Sequence, residues 1–130
     1  MSGERLLLDT NAIVCLLRGD QALQERLQQA DWVGISILSA IEFLAFPGLS
    51  SNDRAIFEQF AGSIDVVGLD RSEQTLIDRI VNLRAQYRLK LPDAIIAATA
   101  VERGAVLITD DQQLQKVPAV KTVGTRDLIP

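Results

Sequence analysis

Short runs of leucine, isoleucine and valine alternate with longer stretches of helical period along this chain, and that alternation limits the fold more than any single residue does. Strands are expected near Leu6–Leu8, Val33–Ile35, Ile64–Val67 and Ala105–Thr109, with a fifth candidate at Lys121–Val123. Between them lie helical candidates at Asn11–Leu17, Gln21–Gln29, Ile37–Phe46, Asp53–Ala61, Ser72–Tyr87 and Asp93–Arg103, and a short helical turn after Asp111. Strand–helix–strand repetition is the pattern of a parallel sheet, because parallel neighbours need a crossover long enough to hold a helix. The expected class is therefore α/β, with a central parallel sheet of four to five strands flanked by helices. FPGLSS (Phe46–Ser51) separates two helices, and RLKLP (Arg88–Pro92) separates two more, with Pro92 at the expected first helical position. Neither is long enough to link domains. The 130 residues, 48% apolar, suffice for one core, so residues 1–130 are expected to form a single domain.

No apolar run approaches the roughly 20 residues of a membrane span, and the N-terminus lacks a secretory pattern. A cytoplasmic protein that contacts no membrane is expected. Cys15, the single cysteine, has apolar neighbours and is expected to pack in the core rather than to react. Histidine is absent altogether. That absence excludes Ser-His-Asp and Cys-His hydrolysis, histidine acid–base cleavage of RNA, and histidine-ligated zinc. Hydrolytic chemistry would have to rest on carboxylates, which at neutral pH readily hold hard cations such as Mg²⁺.

Right-handed crossovers bring the start of each helix to the carboxyl edge of the sheet, where open α/β sheets bind ligands. Asp9 in RLLLDTNAIVCLL ends the first strand there. In VGISILSAIEFL, Ser36 is placed to cap a helix that carries Glu42, whose side chain leans back toward the same edge. LPDAIIAATA puts Asp93 in a first helical turn, and VLITDDQQL follows a strand ending at Thr109 with Asp110 and Asp111. Taken singly, Asp93 can complement a helix dipole, Asp110 and Asp111 can cap a short helix, and Glu42 can lie on a solvated stripe with Ser39. Asp9 is hardest to explain so, because a carboxylate between two apolar stretches is rarely buried without a partner. Together the acids would repel one another unless neutralised, and a divalent cation is the simplest neutraliser.

In order, LLLDTNAI, SILSAIEFL, LPDAIIAATA and VLITDD resemble the PIN-domain nucleases, over essentially the whole chain. The small form is most similar to VapC-type toxins of bacterial toxin–antitoxin pairs, which are Mg²⁺- or Mn²⁺-dependent endoribonucleases. The resemblance implies that Asp9, Glu42, Asp93 and Asp111 are the catalytic acids and metal ligands. Thr10 and Asn11 complete its DTN motif, and Ser36 matches the serine that often precedes the second acid. The family reads Thr, any residue, Asp at the last strand end; that pattern selects Asp111 and leaves Asp110, like Thr10, Asn11, Ser36 and Thr109, in a supporting position. It also implies an RNA substrate, a small antitoxin partner whose tail occludes the rim, and a homodimer.

A net charge of −4 and a pI near 4.7 are poor for gripping a polyanion. Setting the four rim acids aside leaves 13 acids against 13 Lys and Arg, a balanced remainder. Arg79, Arg84, Arg88 and Lys90 form an acid-free basic segment that can follow an RNA backbone near Asp93 or simply be a solvated helix face. Trp32 and Tyr87 can stack bases or serve packing. Two other readings fit parts of the pattern. A phosphoacceptor receiver domain is also a small parallel α/β unit, but it should carry its acidic pair after the first strand. A PIN-like module without turnover would keep the fold and serve RNA binding or assembly.

Overall fold

The computed structural model describes residues 3–128. Five strands, β1 (Arg5–Leu8), β2 (Trp32–Ser36), β3 (Asp65–Val67), β4 (Val106–Ile108) and β5 (Thr122–Val123), form one sheet in the order β3-β2-β1-β4-β5. Every pairing is parallel. The helices are α1 (Thr10–Leu17), α2 (Gln21–Gln29), α3 (Ile37–Leu44), α4 (Ser51–Ala61), α5 (Gln74–Tyr87), α6 (Leu91–Glu102) and the short α7 (Gln112–Gln115), followed by a 3-10 turn at Thr125–Asp127.

The chain builds outward from β1 in one direction through β2 and β3, then returns to β1's other side for β4 and β5. With right-handed crossovers, this reversal puts α1–α4 mainly on one face and α5–α7 on the other. Side-chain alternation then sorts the core into two layers. Leu7 and Leu107 pack with Leu76, Ile80, Ile95 and Ala98, whereas Leu6, Leu8, Ile35 and Ile108 pack with Ile13, Leu16, Phe43 and Phe57. The three leucines of β1 are fully buried, as expected of a strand covered on both faces. Between the carboxyl ends of β1 and β4 the crossovers diverge to opposite faces, which leaves a crevice.

Element ends depart from the sequence expectation for local reasons. Ile64 stays outside β3 because its N–H closes the end of α4 onto the Ala61 carbonyl. Residues 72 and 73 precede α5, because Asp70 accepts from the Ser72 N–H and its carbonyl from the Glu73 N–H. The helix α4 starts earlier than expected because the Ser50 hydroxyl accepts from Asp53 N–H at 3.0 Å. In α6 the first residue is Leu91, so Pro92 stands second rather than first. Cys15 is half-buried at the margin of the α1–α4 layer rather than within it.

At the amino end of β2 the Trp32 indole folds back over Gly34, where any Cβ would collide with the ring. Its Nε1 donates to Asp65 at 2.6 Å, and the Arg5 guanidinium lies 4.7 Å from the ring centroid. This fixed assembly stands at the opposite end of the sheet from the acids, so Trp32 is not placed to stack a base at their rim. Tyr87 packs partly against the α5–α6 layer.

Candidate active site

Asp9 follows the last residue of β1, and its N–H still donates to Ile108 O of β4 at 3.2 Å, which fixes it at the crevice between the two strands. Its carboxylate also caps α1, accepting from Ala12 N–H at 2.8 Å. Only 7% of the residue is exposed. The capping role was readable in the sequence, since Asp immediately before a helix is a favoured cap, but the functional pattern alone does not predict it. Burial pushes the Asp9 pKa up; hydrogen bonds from the fully buried Thr109 and from Ala12 pull it down, and Asp110 and Asp111 push it up again.

Ser36 does cap α3, its hydroxyl accepting from Leu38 N–H at 3.1 Å. The helix carries Glu42 at its exposed side, where the carboxylate accepts from the Thr10 hydroxyl at 2.9 Å. This bond joins the second acid to the residue following the first. Asp93 lies in the first turn of α6, half-buried. Its pKa is raised, mainly by burial and then by Asp111, with Lys90 opposing and Glu42 adding. Asp9, Glu42, Asp93 and Asp111 therefore share one electrostatic neighbourhood, although they come from four separate elements.

The two adjacent aspartates part company. Asp111 caps α7 by accepting from Gln113 N–H at 2.8 Å, and its own N–H donates to the Thr109 hydroxyl at 3.0 Å. Asp110 is held by Thr125, a partner no local sequence signal announces. Asn11 is exposed beside Glu42 and lines, with Thr10, Arg18, Phe43 and Phe46, a recess of about 370 Å³. A larger groove of about 670 Å³, lined by Leu16, Leu27, Phe60 and Ile64, lies toward the amino edge and contains none of these acids. Of the basic segment, Arg79 pairs with Glu102 at 3.5 Å, while Arg84, Arg88 and Lys90 are exposed.

Does this set suit a divalent cation? Among the described residues no three acidic side chains are gathered tightly enough to ligate one ion in their present rotamers. The fit lies in donor chemistry and charge. All four groups offer hard carboxylate oxygens, and the burial that raises Asp9 and Asp93, with neighbouring acids adding to it, disfavours bare negative charge there in a way that a cation would reverse.

The PIN domain profile matches residues 6–120. This chain belongs to the PIN-domain family. The assignment sets aside the receiver-domain reading, and the acidic pair stands after β4 rather than β1. A toxin–antitoxin complex from Klebsiella pneumoniae contains a similar chain, with 26% identity and a TM-score of 0.74, covering 92% of this chain and 97% of that one. VapBC from Salmonella typhimurium, solved bound to DNA, shares the fold at 20% identity and TM-score 0.79, covering 94% and 98%. VapBC2 from Rickettsia felis, bound to a DNA fragment from its promoter, does so at 15% identity and TM-score 0.77, covering 92% and 97%. No curated protein sequence matches the chain. Among the described residues no helix is long and apolar enough to cross a membrane.

Proposed function

We propose that this PIN-domain chain is a metal-dependent endoribonuclease that acts in the cytoplasm as the toxin of a toxin–antitoxin pair. The observation that carries the reading is Asp9 held at the crevice where the crossovers diverge, with Asp111 acting on both Asp9 and Asp93 and with Glu42 joined to Thr10 beside it, in a family whose similar chains include members of toxin–antitoxin complexes. These four carboxylates would hold Mg²⁺ or Mn²⁺, and such an ion, when bound, supplies Lewis acidity toward a phosphodiester and a more acidic water.

The chain's own residues do the rest. The Thr10 hydroxyl holds Glu42, and Thr109 with the Ala12 N–H holds Asp9, so two of the acids have fixed orientations before RNA arrives. Lys90 beside Asp93, with exposed Arg84 and Arg88, offers charge to the RNA backbone, and Arg79 contributes less because Glu102 occupies it. A small antitoxin whose tail lies over the rim would have the recess flanked by Phe46 to fill, that ring being 67% exposed. Exposed Ile41, Val81 and Leu91, on α3, α5 and α6, favour a homodimer.

The decisive test is cleavage of single-stranded RNA by the purified chain in Mn²⁺ or Mg²⁺, beside a DNA strand of equal length. Cleavage of RNA that disappears in chelator and in Asp9→Asn is expected. A chain that binds RNA without cutting it in either metal would instead be a PIN-like binding module.

A further inference from the structure

The Thr109–Asp111 turn is fastened by the C-terminal end of the chain. Thr109 N–H donates to Val123 O at 3.0 Å, and Gln115 Nε2 donates to Thr109 O at 3.2 Å. Asp110 is then captured twice by one residue: Thr125 N–H donates to its Oδ1 at 2.7 Å and the Thr125 hydroxyl to its Oδ2 at 2.6 Å. Hydrogen bonds to a carboxylate are among the stronger ones. Gly124 makes room for the arrangement, since a Cβ there would stand 3.0 Å from Asp110 Oδ1 and 3.1 Å from Asp127 Oδ2. Asp110 is thus held by both of its oxygens, with its charge felt at Asp9, while Asp111 is the acid of the pair that acts on Asp93 as well.

We propose that Thr125 is a positioning residue for the acidic rim: by holding both oxygens of Asp110 it fixes the turn that places Thr109 beside Asp9 and Asp111 at the start of α7. The proposal rests on the nuclease reading for its effect on catalysis, but the clamp has its own readout. Without the clamp the turn would loosen, and Asp111 would no longer be held in one place for a cation.

The test compares the full-length chain with Thr125→Val, Thr125→Ser, Asp110→Ala and the Asp110→Ala, Thr125→Val double variant. Three quantities are measured: Mn²⁺ affinity by water-proton relaxation, kcat and KM on a short RNA, and exchange of the Asp111 amide by NMR. Loss of a supporting partner to a metal site weakens the metal by roughly 10-fold or more. Thr125→Val should therefore bind Mn²⁺ roughly tenfold more weakly, lose kcat by a similar factor, keep its KM and exchange the Asp111 amide faster. Thr125→Ser should restore all of these. The double variant should be no worse than its worse parent, because both changes break the same contact. Unchanged Mn²⁺ affinity and amide exchange in Thr125→Val, a Ser variant as impaired as Val, or additive losses would overturn the proposal. Should Thr125→Val not fold, Asp110→Ala against Thr125→Ser decides it by the same readouts. If the unaltered chain neither binds Mn²⁺ nor cleaves RNA, the nuclease reading fails, and the Asp111 amide alone decides whether the clamp holds the turn.

Discussion

Replacing Asp9 by Asn and by Ala separates what this residue does for folding from what it does at the rim. In the metal-free chain, Asn keeps the oxygen that accepts from Ala12 N–H and removes a charge that burial, Asp110 and Asp111 all disfavour. Alanine removes the charge too, but it uncaps α1, at about 1 kcal/mol, and leaves the fully buried Thr109 hydroxyl without a polar neighbour at position 9, where Asn would still offer its amide. An unmet buried hydroxyl costs a further ~1 kcal/mol or more. Asp9→Asn should thus be at least as stable as the unaltered chain without metal, with Asp9→Ala about 2 kcal/mol below Asp9→Asn, or roughly 5–10 °C in melting temperature at this length. The pH dependence follows from the sign of the shift. A raised folded-state pKa means that the native chain binds more protons than the unfolded one between the ordinary aspartate value and the raised one. Stability therefore falls as pH rises through that window and is regained on acidification. Asp93 acts in the same sense. Urea unfolding in chelator across the acid range should show this fall in the unaltered chain, and a shallower one in Asp9→Asn. An Asn variant as unstable as the Ala variant, or a fall unchanged by removing Asp9, would refute the reasoning.

Asp111→Asn should reduce single-turnover RNA cleavage in saturating Mg²⁺ by several orders of magnitude, while Asp110→Asn stays within about tenfold of the unaltered chain; the reverse ranking would move the fourth ligand to Asp110. Unchanged Mn²⁺ affinity in the Asp9→Asn, Asp93→Asn double variant, read by calorimetry, would remove the basis for a carboxylate-held ion. Arg88 ends α5 in the left-handed region at φ 53°, the only non-glycine residue at positive φ among those described. Arg88→Gly should raise stability by roughly 0.5–1 kcal/mol in urea titration while weakening RNA binding at low salt; a loss of stability would show that the arginine packs rather than strains. Leu107→Ala, at a fully buried site in β4, should cost about 2–5 kcal/mol.

The sheet was readable because its central strands are buried on both faces and so appear as unbroken apolar runs, of which Leu6–Leu8 is the plainest. Placing Asp9, Glu42, Asp93 and Asp111 at one edge needed only the handedness of crossovers and the lean of helical side chains. Contacts between distant residues were not readable in the same way. Nothing near Asp110 announces Thr125, nothing near Arg79 announces Glu102, and nothing near Trp32 announces Asp65. Each depends on which helix face or strand end meets which, and period alone does not carry that information. The strand starts and helix ends that moved did so through single turn hydrogen bonds, as at Ile64 and Ser72.

Trp32 is the sole tryptophan, and its indole is pinned between Gly34, Asp65 and Arg5. The rise of β2 separates it from Ser36, at the acidic end, by roughly 13 Å. Its fluorescence should therefore report unfolding of the β2–β3 edge while remaining nearly blind to events at the rim. Titrating the chain with a divalent cation should leave the emission spectrum where it was, whereas denaturant should shift it in one step. The fold thus carries a built-in optical probe that separates loss of structure from occupation of the site, without any label being introduced.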